Sequence, residues 1–177
     1  MKDERLFLEQ YVRAVQDWPT PGVVFRDITP LLSNAQAFAL AIDLLAARHR
    51  LASPGVIAAV DARGFIFGGA LAHALGCGFV PIRKAGKLPW ATFSEAYSLE
   101  YGHATLEIHQ DAIAKGERVV LVDDLLATGG TLLAAQKLLN NLGAEVLEIN
   151  ALIDLPELGG SDKLRAAGVP VFALMTF

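Results

Sequence analysis

The sequence predicts an α/β fold in which helices cover both faces of a mostly parallel β-sheet. Short runs of apolar, β-type residues alternate along the chain with segments of helical periodicity, which is the pattern of parallel strands joined by helical crossovers. The chain has 177 residues, and 53% of them are hydrophobic. This length and composition suit one domain with a large buried core. We therefore expect a single domain over residues 1–177.

The first fifty residues are predicted to be mainly helical. Apolar residues at helical spacing indicate an amphipathic helix over residues 3–15. The segment Trp18–Gly22 contains two prolines and a glycine and breaks regular structure. Ser33 or Asn34 is suited to cap a second helix that runs to about Arg50.

The rest of the chain supplies the strands of the sheet and the helices that cover it. Apolar runs predict strands at residues 56–60, 79–82, 119–122, 146–153 and 169–174. Helices are predicted at residues 65–75, 130–142 and 161–167. The segment 84–105 has no clear helical period and contains aromatic and acidic side chains. Because a loop of this length in a compact domain is usually functional, we expect it to be a flexible lid.

Composition and charge exclude several kinds of partner. With 15 basic and 19 acidic residues the net charge is −4, so the chain does not have the basic character that favours nucleic acid or an anionic membrane. The uncharged stretch 64–82 contains five glycines and a proline, which predicts a buried α/β unit instead of a membrane span. A single cysteine, Cys77, excludes an internal disulfide. The charged N-terminus without an apolar signal core predicts a cytoplasmic protein.

The segment Val119–Thr131, VVLVDDLLATGGT, predicts a binding site for a ribose phosphate. A buried strand is predicted to end at Val122, which places Asp123 and Asp124 at the carboxyl edge of the sheet, where α/β folds bind ligands. The sequence Thr128-Gly129-Gly130-Thr131 then begins a helix. The first N–H groups of a helix have no internal partner and can donate to phosphate oxygens. Two carboxylates just before such a site can accept hydrogen bonds from the hydroxyl groups of a sugar.

Other nucleotide-binding motifs do not match the sequence. A Walker A motif is excluded because Gly86-Lys87 is followed by Leu88. A dinucleotide fingerprint is excluded because Gly76-Cys77-Gly78 is followed by Pro81 where that motif needs a third glycine. The remaining alternative is an ordinary strand-to-helix turn in which Asp123 or Asp124 caps the helix.

Five segments together carry a resemblance to a known family. They are TPGVVFRDITPLL at 20–32, DARGFIFG at 61–68, IRKAGKLP at 82–89, YSLEYG at 97–102 and DDLLATGGT at 123–131. With these segments the chain resembles the type I phosphoribosyltransferases, which use 5-phosphoribosyl-1-pyrophosphate (PRPP), and among them the members that act on adenine. The resemblance implies the type I fold, with a small N-terminal hood for the base over residues 1–33 approximately and a lid over residues 84–105.

The reaction that the resemblance implies is transfer of the phosphoribosyl group from PRPP to adenine, which gives AMP and pyrophosphate in purine salvage. It further implies a requirement for Mg²⁺, held mainly by PRPP and water and not directly by protein side chains. A homodimer is also implied. Two alternatives stay open: a transferase of the same fold that uses hypoxanthine or xanthine, and a PRPP sensor without catalytic activity. The acid Glu100 and the absence of a basic extension favour an enzyme over a sensor.

The resemblance also implies roles for individual residues. The ribose and 5-phosphate of PRPP or AMP are expected to contact Asp123, Asp124, Ala127, Thr128, Gly129, Gly130 and Thr131. Pyrophosphate is expected to contact Ala62, Arg63, Arg83 and Lys87, the last two partly across the dimer interface. Adenine is expected to contact Val24, Phe25, Arg26 and Leu125. Glu100 and Arg63 correspond to catalytic residues of the family, and Tyr101 follows Glu100 on the lid.

Overall fold

The structure is a computed structural model that describes residues 2–98 and 103–177. The helices are α1 Lys2–Glu9, α2 Thr29–Ser33, α3 Ala35–His49, α4 Gly64–Leu75, α5 Gly130–Asn141 and α6 Gly160–Ala166, with a short 3-10 helix at Pro156–Leu158. The strands are β1 Arg13–Gln16, β2 Val24–Asp27, β3 Val56–Val60, β4 Gly78–Lys84, β5 Thr92–Ser98, β6 His103–His109, β7 Arg118–Leu126, β8 Glu145–Asp154 and β9 Val171–Thr176.

Seven of these strands form the central sheet, in the order β5-β6-β4-β3-β7-β8-β9. Strands β4, β3, β7, β8 and β9 are parallel neighbours, and β6 and β5 extend the β4 edge in antiparallel orientation. The predicted mostly parallel sheet is therefore confirmed. Among the described residues no helix has the length and apolar character needed to cross a bilayer.

Two hydrophobic clusters lie on opposite faces of this sheet. Successive residues of β7 alternate between them, as the two-residue period of a strand requires. Val120 and Val122 pack with residues of α3 and α4, whereas Val119 and Leu121 pack with residues of α5 and α6. The sheet is thus covered on both faces, which explains why its central strands are continuously apolar.

Helix α3 follows the predicted capping signal. The Asn34 side-chain oxygen accepts a hydrogen bond from the backbone N–H of Ala37, with an N–O distance of 2.9 Å. The helix then runs to His49, one residue short of the predicted end. Between the two predicted caps, the structure selects Asn34.

The predicted helix over residues 3–15 is wrong in its second half. Helix α1 ends at Glu9, and residues 13–16 form β1, which pairs with β2 in a separate two-stranded antiparallel sheet. The connecting loop is closed by Asp17, whose carboxylate accepts a hydrogen bond from the Gly22 N–H at 2.7 Å. Pairing with β2, a segment distant from the helical pattern, is the interaction that local periodicity could not indicate.

The segment 84–105 also differs from the irregular loop that we expected. Strands β5 and β6 pair in antiparallel register from Thr92 opposite His109 to Ser98 opposite His103. Glu100 and Tyr101, which were predicted to act from this segment, lie outside the described residues. The hairpin contacts α5 through an ion pair between Lys137 Nζ and Glu95 Oε1 at 2.8 Å.

Strand β7 is longer than predicted and changes the position of the two acids. We expected it to end at Val122, but pairing with β8 continues to Leu126. Asp123 and Asp124 therefore lie within the strand and not after it. The reason is that β8 continues to supply backbone partners beyond the apolar run, although the pairing with β3 ends at Val122.

Candidate active site

A cleft of about 370 Å³ opens where the carboxyl ends of β3 and β7 meet. Its lining residues are Val60, Asp61, Ala62, Arg63, Lys84, Tyr97, Leu106, Asp123, Asp124, Leu125 and Thr131. Strands β3 and β7 are parallel neighbours, so the segments that follow them emerge on the same edge of the sheet. The cleft thereby joins the DARG segment to the acids of the ribose-phosphate motif.

A smaller cavity of about 80 Å³ lies between the end of β7 and the start of α5, and residues 127–131 line it. Gly129 is the N-cap of α5 with φ +75°, a left-handed conformation that favours glycine. The cap is made without a side-chain hydrogen bond. The alternative in which Asp123 or Asp124 caps the helix is therefore wrong, and the N-terminus of α5 faces the cavity with its backbone donors.

The two acids of the cleft form a tightly coupled pair. The backbone N–H of Asp124 donates to the Asp123 carboxylate with an N–O distance of 2.9 Å. Burial raises the pKa of Asp123 well above its usual value, and the negative charge of Asp124 raises it further. Burial also raises the pKa of Asp124, although the positive charge of Arg63 opposes that shift. In the ligand-free protein, ionising both of these carboxyl groups therefore costs free energy.

Arg63 brings three distant segments of the chain together. Its Nε lies 2.8 Å from Asp124 Oδ2, and its guanidinium carbon lies 5.6 Å from the centre of the Phe25 ring. The approach of α4 to β7 depends on Gly64, because a Cβ there would lie 3.0 Å from Asp123 Oδ1 and 3.1 Å from the Val122 carbonyl oxygen. These distances are tighter than most real Cβ contacts, so glycine at position 64 makes room for the close approach of the segment that follows Arg63.

The residues predicted to bind the base divide between β2 and β7. Phe25 stands edge-on to Trp18 with 4.3 Å between ring centroids. Val24 is exposed beside it, and the Arg26 guanidinium lies 4.5 Å from the Phe177 ring. Leu125 lines the cleft. The structure thus places the aromatic ring of Phe25 near Arg63 and the aliphatic side chain of Leu125 in the cleft lining.

Of the three predicted pyrophosphate cations, Arg63 lines the cleft, whereas Arg83 and Lys87 are not in its lining. Arg83 Nε is 3.4 Å from Asp61 Oδ2, an ionic contact without hydrogen-bond geometry. Arg83 also donates to the Lys87 carbonyl oxygen at 3.1 Å, and the Lys87 side chain is exposed. Lys84, to which we had assigned no role, lines the cleft instead.

Sequence reasoning missed Asp61 and Tyr97 as well. The Asp61 carboxylate accepts from the Lys84 backbone N–H at 3.3 Å, so it links the end of β3 to the end of β4. Tyr97 lines the cleft from β5. Both residues belong to segments that carried the resemblance, DARGFIFG and YSLEYG, and this membership was the signal that could have identified them.

Comparison with known proteins decides the family. A model of the phosphoribosyl transferase domain matches residues 28–166. An adenine phosphoribosyltransferase from Acidovorax sp. is 56% identical over 173 residues, which cover 97% of this chain and 94% of that protein. The chain belongs to the adenine phosphoribosyltransferase family. The resemblance found in the sequence is therefore confirmed.

Crystal structures of this family share the fold. The adenine phosphoribosyltransferase of Thermoanaerobacter pseudethanolicus is 47% identical, with a TM-score of 0.93 and coverage of 98% of this chain and 99% of that one. The Saccharomyces cerevisiae enzyme, complexed with an imino-altritol bisphosphate and adenine, is 38% identical, with a TM-score of 0.93 and coverage of 98% and 99%. The type I phosphoribosyltransferase fold is confirmed, and the chain is a transferase of this family.

Proposed function

We propose that this chain transfers the phosphoribosyl group of PRPP to adenine, giving AMP and pyrophosphate in purine salvage. The observation that carries the proposal is the 2.8 Å contact between Arg63 and Asp124. This contact joins the turn before α4, which suits pyrophosphate, to the segment Val119–Thr131, which suits ribose phosphate. The pyrophosphate and the ribose of PRPP would therefore lie on either side of the bond at ribose C1, which is the bond that breaks. Adenine is the base named for the relatives of this chain.

The ribose and its phosphate would occupy the end of β7 and the loop beyond it. Asp123 and Asp124 are acceptors for two sugar hydroxyls, and residues 127–131 surround the cavity for the 5-phosphate. Hydroxyl donors relieve the repulsion between the two acids, while the amides and dipole of α5 stabilise the anion. Because burial raises the pKa of Asp123, such donors would stabilise its ionised form.

Catalysis in this cleft would rest on fixed charges. Cleavage at ribose C1 builds positive charge on the sugar and negative charge on the leaving pyrophosphate. Arg63 and Ala62 line the cleft and would bind the leaving group, and Arg83, which donates to the Lys87 carbonyl oxygen, would add positive charge together with Lys87. Preorganised charges of this kind stabilise a transition state without reorganising at the moment of reaction.

Mg²⁺ would enter bound to PRPP. Among the described residues no group of three or more His, Cys, Asp or Glu side chains is arranged to hold a metal, and Asp124 is engaged with Arg63. This donor set fits an ion that the substrate and water coordinate, with the ribose acids nearby. When bound, the ion neutralises charge on the pyrophosphate oxygens.

Recognition of adenine would follow from the direction of its hydrogen bonds. The Val24 carbonyl accepts from the exocyclic amino group, the Arg26 N–H donates to the ring, and Phe25 and Leu125 pack on the two faces. Hypoxanthine would present an oxygen to the Val24 carbonyl. An unpaired buried group costs ~1–3 kcal/mol, so we expect adenine to be favoured by roughly tenfold to a few hundredfold for each such mismatch.

Glu100 and Tyr101 are proposed to act from the lid, at positions outside the described residues. Glu100 would serve as a general acid/base towards the adenine ring or as a charge that stabilises the cationic sugar. The lid itself would exclude water, which competes with adenine for the reactive sugar.

A homodimer is proposed as the working form. Ile66 and Phe79 are 41% and 37% exposed, and they belong to α4 and β4, the elements that carry Arg63 and Arg83. A second copy of the chain that covered Ile66 and Phe79 would lie beside the turn before α4, where we propose that pyrophosphate binds. Sedimentation at several concentrations tests this, and a monomer throughout would remove the dimer from the proposal.

The deciding experiment measures pyrophosphate release with PRPP, Mg²⁺ and each purine base in turn. We expect activity with adenine, loss of it when the metal is chelated, and a large fall in kcat for Glu100→Ala with PRPP affinity retained. Activity with hypoxanthine but not adenine would overturn the base assignment. Release with no base, or binding of PRPP without release, would favour hydrolysis or a sensor instead.

A further inference from the structure

We propose that Gly160, on a different helix from the phosphate loop, is a positioning residue that shapes this loop. The term phosphate loop means residues 127–131. The inference rests on the proposed role of that loop and extends it to α6. Neither the sequence motifs nor the lining of either cavity includes Gly160.

The backbone of Gly160 lies directly against the backbone of the phosphate loop. Gly160 is buried at the first position of α6. A Cβ on it would collide with the Ala127 carbonyl oxygen and would lie 2.6 Å from the Gly129 nitrogen and 2.7 Å from Leu126 Cδ2. Real Cβ atoms essentially never make contacts below 3.0 Å. Two of the three obstructing atoms are main-chain atoms, which cannot move away by rotating a side chain.

The contact is reciprocal. A Cβ on Gly129 would lie 2.9 Å from the Gly160 carbonyl oxygen and 3.1 Å from its Cα. Gly129 needs glycine for its own φ of +75°. Gly160 has no positive φ, so alanine could adopt its backbone conformation. Glycine is needed at position 160 for a steric reason only, because the phosphate loop occupies the volume that a side chain would fill.

The α6 side of this contact is held firmly in place. Leu164 is fully buried in the hydrophobic cluster that also contains Val119 and Leu121. The Leu155 N–H donates to the Leu126 carbonyl oxygen at 3.0 Å, and the Lys163 N–H donates to the Gly159 carbonyl oxygen at 3.1 Å. Since these bonds fix the turn before α6 to the sheet and to the helix, a methyl group at position 160 would push against the backbone of the phosphate loop.

A displaced loop would weaken binding of phosphate in particular. Donors to an anion act at heavy-atom distances of about 2.7–3.1 Å, so a shift of half an ångström or more misaligns several N–H groups at once. The three nearest atoms to a Cβ at position 160 belong to Leu126, Ala127 and Gly129 and not to the adenine residues Phe25 and Leu125. We therefore expect Gly160 to affect the phosphate subsite more than the base subsite.

The test compares Gly160→Ala with Gly69→Ala as a matched control. Gly69 lies in α4, and a Cβ there would meet no described atom within 4 Å. Calorimetric titration with ribose 5-phosphate should show affinity reduced at least tenfold, about 1.4 kcal/mol, in Gly160→Ala and unchanged in Gly69→Ala. In steady-state assays the KM for PRPP should rise while the KM for adenine stays within twofold.

Each outcome of the test has a defined meaning. A folded Gly160→Ala protein with wild-type affinity for ribose 5-phosphate would overturn the proposal, as would an equal rise in both KM values. Failure of the wild-type protein itself to bind ribose 5-phosphate would instead overturn the proposed function.

A second measurement uses the unaltered protein, so it does not depend on the variant folding. Hydrogen exchange should slow in a peptide covering residues 155–165 when ribose 5-phosphate binds, and adenine alone should leave that peptide unchanged. Slowing confined to residues 123–132 would count against a role for Gly160.

Discussion

At the scale of single residues, the acids Asp123 and Asp124 of the candidate site lower the stability of the ligand-free fold. Burial and mutual repulsion raise the pKa of Asp123 well above its usual value, and the positive charge of Arg63 offsets only part of the cost for Asp124. A carboxyl whose pKa is raised by folding contributes stability that is fully present below the unfolded pKa of about 3.9 and is lost as pH rises through the folded pKa.

Asp123→Asn should therefore stabilise the ligand-free protein at neutral pH. We expect a melting temperature higher by about 2–4 °C at pH 7–8, the response of a domain of this size to roughly 1 kcal/mol. The gain should shrink as pH falls towards 4, where the wild-type carboxyl becomes protonated. Differential scanning calorimetry across this range measures both effects.

The control for this variant is Asp111→Asn, which removes an exposed acid outside the cleft. Its effect on the melting temperature should be smaller than that of Asp123→Asn and should not depend on pH in the same way. Titration with ribose 5-phosphate should show weaker binding to Asp123→Asn. A melting temperature that falls at pH 7–8 would contradict the electrostatic account of this residue.

At the scale of elements, the β5–β6 hairpin and α5 meet at the ion pair between Glu95 and Lys137. Glu95 lies two residues from Tyr97 on β5, so both side chains belong to the same face of the strand. Tyr97 lines the cleft, and α5 begins at the phosphate loop. The pair therefore joins a strand of the predicted lid to α5, the helix that we propose to bind the phosphate.

The strength of this contact can be measured with a double-mutant cycle of Lys137→Met and Glu95→Gln. The Lys137 side chain is 55% exposed, so we expect a coupling energy of only about 0.2–1 kcal/mol. It should fall further in 1 M salt because an exposed pair is screened. Urea unfolding of the four proteins at two salt concentrations provides the values, and a coupling that does not respond to salt would indicate a contact other than charge.

At the scale of the whole molecule, a partly buried polar cluster joins α3 to β8. Arg48 donates two hydrogen bonds to Glu148, each at 2.6 Å. Asn150 donates to the same carboxylate at 2.9 Å, and its own oxygen lies 2.6 Å from His49 Nε2. Burial tends to raise the pKa of Glu148, but the hydrogen bonds from Arg48 and Asn150 outweigh it, and the pKa is lowered.

Glu148 should therefore contribute to resistance against acid. A lowered pKa gives stability that is present above the unfolded pKa of about 4.3 and is lost as pH falls through the folded pKa. Glu148→Gln should reduce the free energy of unfolding at pH 7 by about 1–3 kcal/mol, and the difference should narrow below pH 4. Glu157→Gln, which changes an exposed acid, is the control. Equal effects of the two substitutions would rule out the cluster as the cause.

Five strands of the central sheet, the main helices that cover it and the candidate ribose-phosphate motif were readable from the chain itself, whereas strands β1, β2, β5 and β6 were not predicted. Apolar periodicity predicts strands and helices because each element must bury one face or both, and Asn34 and the Thr-Gly-Gly-Thr segment are local signals. Local signals were also the source of the errors. Helix α1 was drawn through β1, and β7 was ended before Asp123, because strand pairing depends on partners far away in sequence.

The sequence by itself determined the family, the parallel sheet and the residue types that the chemistry needs. Only the tertiary structure decided which of them meet: Arg63 with Asp124, Lys84 at the cleft where Lys87 was expected, and Gly160 against Gly129. The roles of the individual site residues, the dimer and the cytoplasmic location stay predictions. The physical reason for this division is the separation along the chain over which each kind of interaction acts. Propensity and periodicity act within a few residues, whereas the close approach of two backbones and the pairing of buried charges depend on chain segments that only folding brings together.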